Sequence, residues 1–405
     1  MLSKIKLHWQ ILIALILAVA FGYYLPDLIP YVSWMGDVFL RGLSMIVIPL
    51  VFSSIISGVA SIGGGSNLGR IGIKTISLYL STSLIAILTG LFLVNLLQPG
   101  VGANLGTAET IQSLPTAGTS VSEILMRTIP DNIVDAMARG QILPVIFFAI
   151  LFGFFITQVQ TEKQEILTKF FNSIFEVMMK ITMFIIRFTP LGIFAIVSKE
   201  VARNSGSLSN IAGSLGIYML TVLLALIIHA GITLPLAVKL LGKSKPYLHF
   251  RNMATPLLTA FSTSSSSAAL PLTMEAVEHN DGVSGKITSF TLPLGATINM
   301  DGTALYECVA VIFIAQAYGV DLTVGQQAIV VLTALLAAIG SAGIPMAGLV
   351  MMTIVLTAVN LPLEGIGLIL AVDRILDMSR TTVNVWGDTC VAVIIAKSEG
   401  ETLNV

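Results

Sequence analysis

The sequence predicts an all-α integral membrane protein, and three observations carry that prediction. Of the 405 residues, 55% are hydrophobic and only 11% charged, with a mean hydropathy of +0.92; a soluble chain keeps roughly a quarter of its residues charged to hydrate its surface. Apolar windows long enough to span a bilayer recur along the first 240 residues. Beyond them, polar and small residues interrupt apolar sequence at a depth where only helices and enclosed non-helical chain are tolerated. The surplus apolar surface must face lipid. A net charge of −1 offers no basic stripe for a nucleic acid. Cys308 and Cys390 lie singly in apolar runs, as buried free thiols do, and form neither a metal cluster nor a disulfide framework.

The windows fall at 10–29, 37–62, 72–98, 141–159, 168–197 and 208–240. Lys4 and Lys6 precede the first, but the stretch from Ile11 to about Leu25 lacks a small-residue cleavage site and reads as a retained first transmembrane helix. Asp27 lies in the first connection, Arg70 and Lys74 in the second, and Lys239, Lys243, Lys245 and Arg251 follow the sixth window. Basic residues collected on alternate sides put the N-terminus and the second connection in the cytoplasm. Pro49 is expected to kink its helix. The Gly/Thr/Ser-rich stretch 99–140 reads as a loop with short interfacial or embedded helices.

After residue 245 the pattern changes. "TAFSTSSSSAALP" crowds hydroxyls ahead of Pro271, and "AAIGSAGIPMAG" gathers Gly340, Gly343, Pro345 and Gly348 between apolar arms too short to span alone. Such arms joined by a polar or Gly/Pro tip read as re-entrant helical hairpins, near 247–277 and 324–358. Each precedes a long helix carrying polar residues, about 284–318 and 364–396, an order that fits an inverted repeat with a site where the halves meet.

The last segment reads "LILAVDRILDMSRTTVNVWGDTCVAVIIAK". At about 100° per residue, Asp373, Asp377, Arg380, Thr381, Asn384 and Asp388 share a roughly 100° arc, with Ile375, Val383, Val385 and Val391 opposite. Charges in mid-membrane cost several kcal/mol each, so they are expected to face the interior, paired or functional. An Asp377–Arg380 packing salt bridge accounts for one pair and leaves the other carboxylates unexplained. A zwitterion needs an acceptor for its ammonium, which Asp377 supplies, and a donor for its carboxylate, which Asn384 supplies. The Arg380 fork suits a second carboxylate. Small cations need shells of carboxylate and unwound carbonyl oxygen, and Asp301 in "LPLGATINMDGTALYE" and Asp388 lie beside segments expected to unwind.

Glu307 stands in the otherwise apolar "ALYECVAVIFIAQ"; apolar surroundings favour a neutral acid, which can carry a proton. His229 and the other histidines show no metal-ligand spacing and receive no role. No nucleophile elbow, phosphate-binding glycine loop or catalytic His/Cys arrangement appears, so enzyme chemistry has no anchor.

"SSSSAALP", "NMDGT" and "DMSRTTVNVWGD", in this order and at these separations, resemble the glutamate transporter family, the dicarboxylate/amino acid:cation symporters. The resemblance covers residues 8–397, essentially the whole chain. It implies a prokaryotic sodium- or proton-coupled carrier of acidic amino acids, multi-pass in the inner (plasma) membrane with both termini cytoplasmic. Its fold would be eight transmembrane helices and two re-entrant hairpins, assembled as a homotrimer of independent, elevator-type protomers. Residues 1–70 and 99–205 would form the scaffold (helices 1, 2, 4 and 5); 71–98 (helix 3) and 206–405 (helix 6, hairpins, helices 7 and 8) would form the transport domain.

The resemblance also implies roles. Asp377 would take the substrate ammonium, Arg380 its side-chain carboxylate, and Asn384 with the backbone of Ser266, beside Ser265, the α-carboxylate. Thr303, Thr381 and the second hairpin tip at Ile344, Pro345 and Gly348 would complete the pocket and gate. One sodium would take carbonyls of Gly295, Asn299 and Asn384 with the Asp388 carboxylate; a second, carbonyls of Thr297, Ala338, Ile339 and Ser341; a third, Tyr79, Thr82, Ser83, Asn299 and Asp301. Glu307 matches the proton-coupling glutamate of animal members, which also permits potassium return. Ser264 stands where some archaeal members carry an arginine, and Arg374 is not where the animal members carry theirs, which leaves its role open. Relatives moving C4-dicarboxylates usually lack the aspartate at 377 and those moving neutral amino acids lack the arginine at 380, so both alternatives, a proton-coupled dicarboxylate carrier and a neutral amino acid carrier, rank below an acidic amino acid. A passive pore would not need this zwitterion-matched set.

Overall fold

The computed structural model describes residues 7–60, 66–103, 129–203, 208–339 and 347–405, and among them every regular element is a helix. The chain begins with α1 (Leu7–Tyr24), α2 (Ile29–Ala60) and α3 (Ser66–Leu97). The short α4 (Ile133–Ala138) leads into α5 (Ile142–Ile156), α6 (Thr161–Ile186) and α7 (Thr189–Arg203). Then come α8 (Leu208–Ile228), a π-helical turn (His229–Thr233), α9 (Leu234–Leu240), α10 (Pro246–Asn252), α11 (Ala254–Thr263) and α12 (Ser266–His279). The chain closes with α13 (Gly285–Ile298), α14 (Asp301–Ala317), α15 (Val324–Ile339), α16 (Ala347–Ala358) and α17 (Ile366–Ser398). Among the described residues, Pro26–Ala60, Arg70–Leu97, Ala212–Leu240 and Gly285–Ala317 are long and apolar enough to cross a membrane, and α6 with α7 makes a fifth such span if counted as one.

Packing sorts these helices. α2 lies against α5, α6 and α7, and α1 against α7. Separately, α3 packs on α8 and α14, while α17 packs on α8, α11, α12, α13 and α14. Outward faces are apolar: Phe92 of α3 is 66% exposed and Leu220 of α8 62%. In water such a surface would aggregate; against lipid it costs nothing. α14 is the reverse, buried at every residue except Gln316.

The first hairpin is visible as α11 and α12, about 15 and 21 Å long at 1.5 Å per residue, each short of a 30 Å hydrocarbon core. They turn at Ser264, which is left-handed (φ 52°, ψ 38°). Ser265 then caps α12, its hydroxyl accepting from the Ala268 N–H at 3.2 Å. α15 and α16 pair as the arms of the second hairpin. Its expected gate and cation ligands Ser341, Ile344 and Pro345 lie outside the described residues.

Two boundaries differ from the hydropathy windows. The 37–62 window belongs to a longer helix, Ile29–Ala60. The 168–197 window is two helices bent by 52° between Ile186 and Thr189; hydropathy sums side chains and is blind to a backbone break, here just before Pro190 in the first turn of α7. Of the 99–140 stretch, 104–128 lie outside the described residues; in the remainder the short helix α4 is capped by Asn132, whose side chain accepts from Val134 N and Asp135 N.

Candidate substrate and cation site

α17 is 33 residues long and brings its ionic groups to the molecule's interior. Asp373, Asp377 and Arg380 are 2%, 3% and 1% exposed. Arg380 donates Nη1–H to Asp373 Oδ1 at 3.0 Å and both Nη2–H and Nε–H to Asp377 Oδ1 at 2.8 and 3.1 Å. Its guanidinium carbon lies 4.1 Å from the centre of the Tyr306 ring of α14, a cation–π contact inside protein. Two carboxylates thus share one arginine, so intrahelical pairing explains more of this face than the single bridge expected from spacing. Arg374, left without a role, donates to Ser264 Oγ at 2.9 Å and lies 3.8 Å from Asp377 Oδ2. It ties the first hairpin's tip to α17.

The helix has no outward apolar face over this stretch. Val383, Val385 and Val391, opposite the polar arc, are buried too, and only Ile375 is exposed. α17 is therefore enclosed on nearly all sides. Gly348 of α16 lies against the guanidinium, where an added Cβ would sit 3.0 Å from Arg380 Cζ. Thr381 donates to its own helix, to Asp377 O at 2.7 Å. Ser265 and Ser266 are buried at the start of α12, where N–H groups converge. Asn384, expected as a free donor, gives Nδ2–H to Thr303 Oγ1 at 3.1 Å and Met300 Sδ at 3.2 Å, while its Oδ1 accepts from Gly302 N at 2.7 Å. Asn384 therefore stitches α17 to the start of α14.

The stitch falls on a helix break. α13 ends at Ile298, Asn299 is extended (φ −90°, ψ 91°), and α14 restarts at Asp301. Asp301 is fully buried. Its Oδ1 accepts from Ser83 Oγ at 2.5 Å and Thr82 Oγ1 at 3.2 Å, both on α3. Asn299 Nδ2–H donates to Asp388 Oδ1 at 2.9 Å, and Asn299 Oδ1 is buried with no hydrogen-bond partner among the described residues. Tyr79 donates to Thr291 O at 2.9 Å. Gly295 lies so close to Asp388 and to the Tyr79 hydroxyl that a Cβ there would overlap both. Tyr79, Thr82, Ser83, Gly295, Asn299, Asp301 and Asp388 thus form one oxygen-rich cluster of the kind that suits a small hard cation. The Thr297 side chain points outward and its hydroxyl donates to Leu294 O at 3.0 Å; Ala338 is buried and Ile339 half-buried at the end of α15, which touches α13.

Two histidines passed over in the sequence have partners here. His229 Nε2 lies 3.0 Å from Asp301 Oδ2, and His249 Nδ1 lies 2.6 Å from Asp281 Oδ2, all four residues fully buried. Both pairs join residues far apart in the chain, so no spacing signal could have found them. Glu307 is also fully buried, and neither carboxyl oxygen has a hydrogen-bond partner among the described residues.

Residues 7–398 match the sodium:dicarboxylate symporter family. The chain is 38% identical to the proton/glutamate-aspartate symporter of Escherichia coli, covering 98% of this chain and 93% of that protein. It is 37% identical to the proton/sodium-glutamate symport protein of Geobacillus stearothermophilus, covering 99% and 96%. It is 36% identical to the human excitatory amino acid transporter 3, covering 93% and 81%. A match over nearly all of its length makes the chain a transporter of the sodium:dicarboxylate symporter family.

Proposed function

We propose that this protein is a secondary active symporter that takes up glutamate or aspartate together with sodium, and that Glu307 carries a proton in the cycle. The observation that carries this reading is the buried Asp377–Arg380 pair at 2.8 Å on α17, a hydrogen-bond acceptor for an ammonium beside a donor fork for a carboxylate. Arg380 engages the substrate's side-chain carboxylate and Asp377 its ammonium. Asn384, the start of α12 at Ser265 and Ser266, Thr303, Thr381 and the second hairpin with Ile344, Pro345 and Gly348 line the remainder. A bound carboxylate shares Arg380 with Asp373, because displacing that 3.0 Å contact would leave a buried carboxylate without its cation. The names of the relatives, glutamate and aspartate symporters among them, point to the same substrate class.

Sodium is cargo in this scheme. The cluster of Tyr79, Thr82, Ser83, Asn299 and Asp301 takes one ion, with the unpartnered Asn299 Oδ1 as a ready oxygen. Gly295, Asn299, Asn384 and Asp388 take a second, and carbonyls of Thr297, Ala338, Ile339 and Ser341 a third. Residues 71–98 and 206–405 move as a transport domain against a scaffold of 1–70 and 99–205, in a homotrimer of the plasma membrane with both termini cytoplasmic. The apposition of α3 with α8, α14 and α17, apart from the α1–α2–α5–α6–α7 group, supports that division. Uptake of labelled aspartate, glutamate and succinate into proteoliposomes, with sodium, proton and potassium gradients imposed singly, tests the proposal. Concentrative, sodium-driven uptake of the amino acids is expected; gradient-independent flux, or preference for succinate, contradicts it.

A further inference from the structure

His229 opens the π-helical turn that separates α8 from α9. π-helical turns are rare, add a residue to the helical turn and concentrate at functional sites. Here the turn is braced from α17, where Trp386 Nε1–H donates to Ala230 O at 3.1 Å. The adjacent His229 ring is fully buried and meets Asp301 Oδ2 at 3.0 Å. A carboxylate only accepts, so Nε2 is the protonated nitrogen by geometry. Nδ1 is buried with no hydrogen-bond partner among the described residues, so the ring has one polar contact, and that contact is Asp301. Asp301 is then held from two helices: Oδ1 by Ser83 and Thr82 of α3, Oδ2 by His229.

We infer that His229 is a positioning residue for the cation site at Asp301. Its Nε2–H fixes Oδ2, which keeps Oδ1 on the α3 hydroxyls of Ser83 and Thr82. The imidazole is not itself a ligand, because a small hard cation takes oxygen and Nε2 carries the hydrogen that Asp301 accepts. Without that bond only the α3 hydroxyls, among the described residues, hold the carboxylate, and ordering it becomes a larger cost of binding. Outer partners of metal-binding groups are worth about 10- to 100-fold in metal affinity. The inference rests on the sodium reading of the Asp301 cluster given above.

The test is sodium affinity measured without amino acid, as the sodium-induced rise in melting temperature of purified protein, alongside the sodium half-saturation of uptake. His229→Leu removes the donor at similar bulk, His229→Phe removes it but keeps a ring, and His229→Gln retains an N–H. Leu and Phe are expected to weaken sodium binding about 10- to 100-fold, Gln to recover most of it, and aspartate KM at saturating sodium to stay unchanged. Wild-type sodium affinity in either folded donor-less variant overturns the inference, as does a Gln variant no better than Leu. The wild-type protein gives an independent reading whether or not those variants fold: it has 4 histidines, and the 15N signals of His229 must report an Nε2–H tautomer and shift on sodium addition. Absence of either feature overturns the inference. Asp301→Asn separates the two layers. If that variant keeps the full wild-type sodium response, the cation reading of the cluster fails; if its response falls while His229→Leu keeps the wild-type one, only the positioning role falls.

Discussion

Arg380 is a full charge with 1% exposure, tolerated because Asp373, Asp377 and the Tyr306 face surround it. Arg380→Cys would take the arginine from both buried carboxylates, with the part-exposed Arg374 3.8 Å from Asp377. Losing one partner of a buried ion pair costs about 3–5 kcal/mol, so a lower melting temperature and lost aspartate uptake are expected, with neutral amino acids admitted. Competition between labelled aspartate and serine in proteoliposomes measures this, and wild-type aspartate affinity would contradict the Arg380 assignment. Glu307 has no such company: a carboxylate there would stand without a hydrogen-bond donor among the described residues. Glu307→Gln keeps the shape and removes the titratable proton. Net uptake in the variant should lose its dependence on pH or potassium, while exchange of internal for external substrate continues. If net uptake keeps its pH profile, Glu307 is structural.

At the scale of elements, the break between α13 and α14 organises the site. It opens the chain at Asn299 and Met300, lets Asp301 begin a new helix, and exposes the Gly302 N–H to Asn384. Gly302 lies against α17 so closely that a Cβ would be 2.5 Å from Arg380 O and 2.9 Å from Arg380 Cα. Both are backbone atoms of a packed helix and cannot swing aside. Gly302→Ala should therefore cost about 1–3 kcal/mol by overpacking and uncouple substrate from sodium, read as a lower melting temperature and a weaker sodium dependence of aspartate affinity. This break was legible in part: the sequence reads 284–318 as one long helix but expects unwinding beside Asp301, where Asn, Asp and Gly interrupt an apolar run. The first hairpin was legible for the same reason, its serines supplying both the left-handed turn and the α12 cap. The bend between α6 and α7 was missed although Pro190 marks it, because a hydropathy window sums side chains and does not weigh a single proline.

For the whole molecule, the residues after α17 act as a strap. Glu399 pairs with Lys74 at 2.7 Å and also with Arg70, both on α3. Glu401 accepts from Ser284 N at 2.9 Å, Asn404 N donates to Asp281 O at 2.8 Å, and Val405 is buried. The strap joins α17, α3 and the junction of the first hairpin with α13, three parts that must travel together if the elevator proposal holds. The Lys74 hydrogen bond, with Arg70 adding to it, holds the Glu399 carboxyl below a glutamate's ordinary value. A depressed folded-state value means that its stabilisation is present above the unfolded value and is lost as pH falls through the folded one. Glu399→Gln should thus melt below wild type at pH 7 and converge with it in acid, seen in melts across that range. Ending the chain at Ser398 should lower the melting temperature further, because the Glu401 and Asn404 bonds go as well.

By itself the sequence determined the membrane class, the helical hairpins, the unwinding beside Asp301 and the residue types on the polar arc of α17. Each of these follows from side-chain chemistry summed over a short stretch, where hydropathy and helical periodicity suffice. Only the tertiary structure decided who pairs with whom. Arg380 takes Asp373 in addition to the Asp377 expected from spacing, Asn384 binds across 82 residues to Gly302, and Asp301 gathers Ser83 across 218 and His229 across 72. A buried polar group must find a partner, and in a folded chain that partner is chosen by how helices pack, not by distance along the sequence.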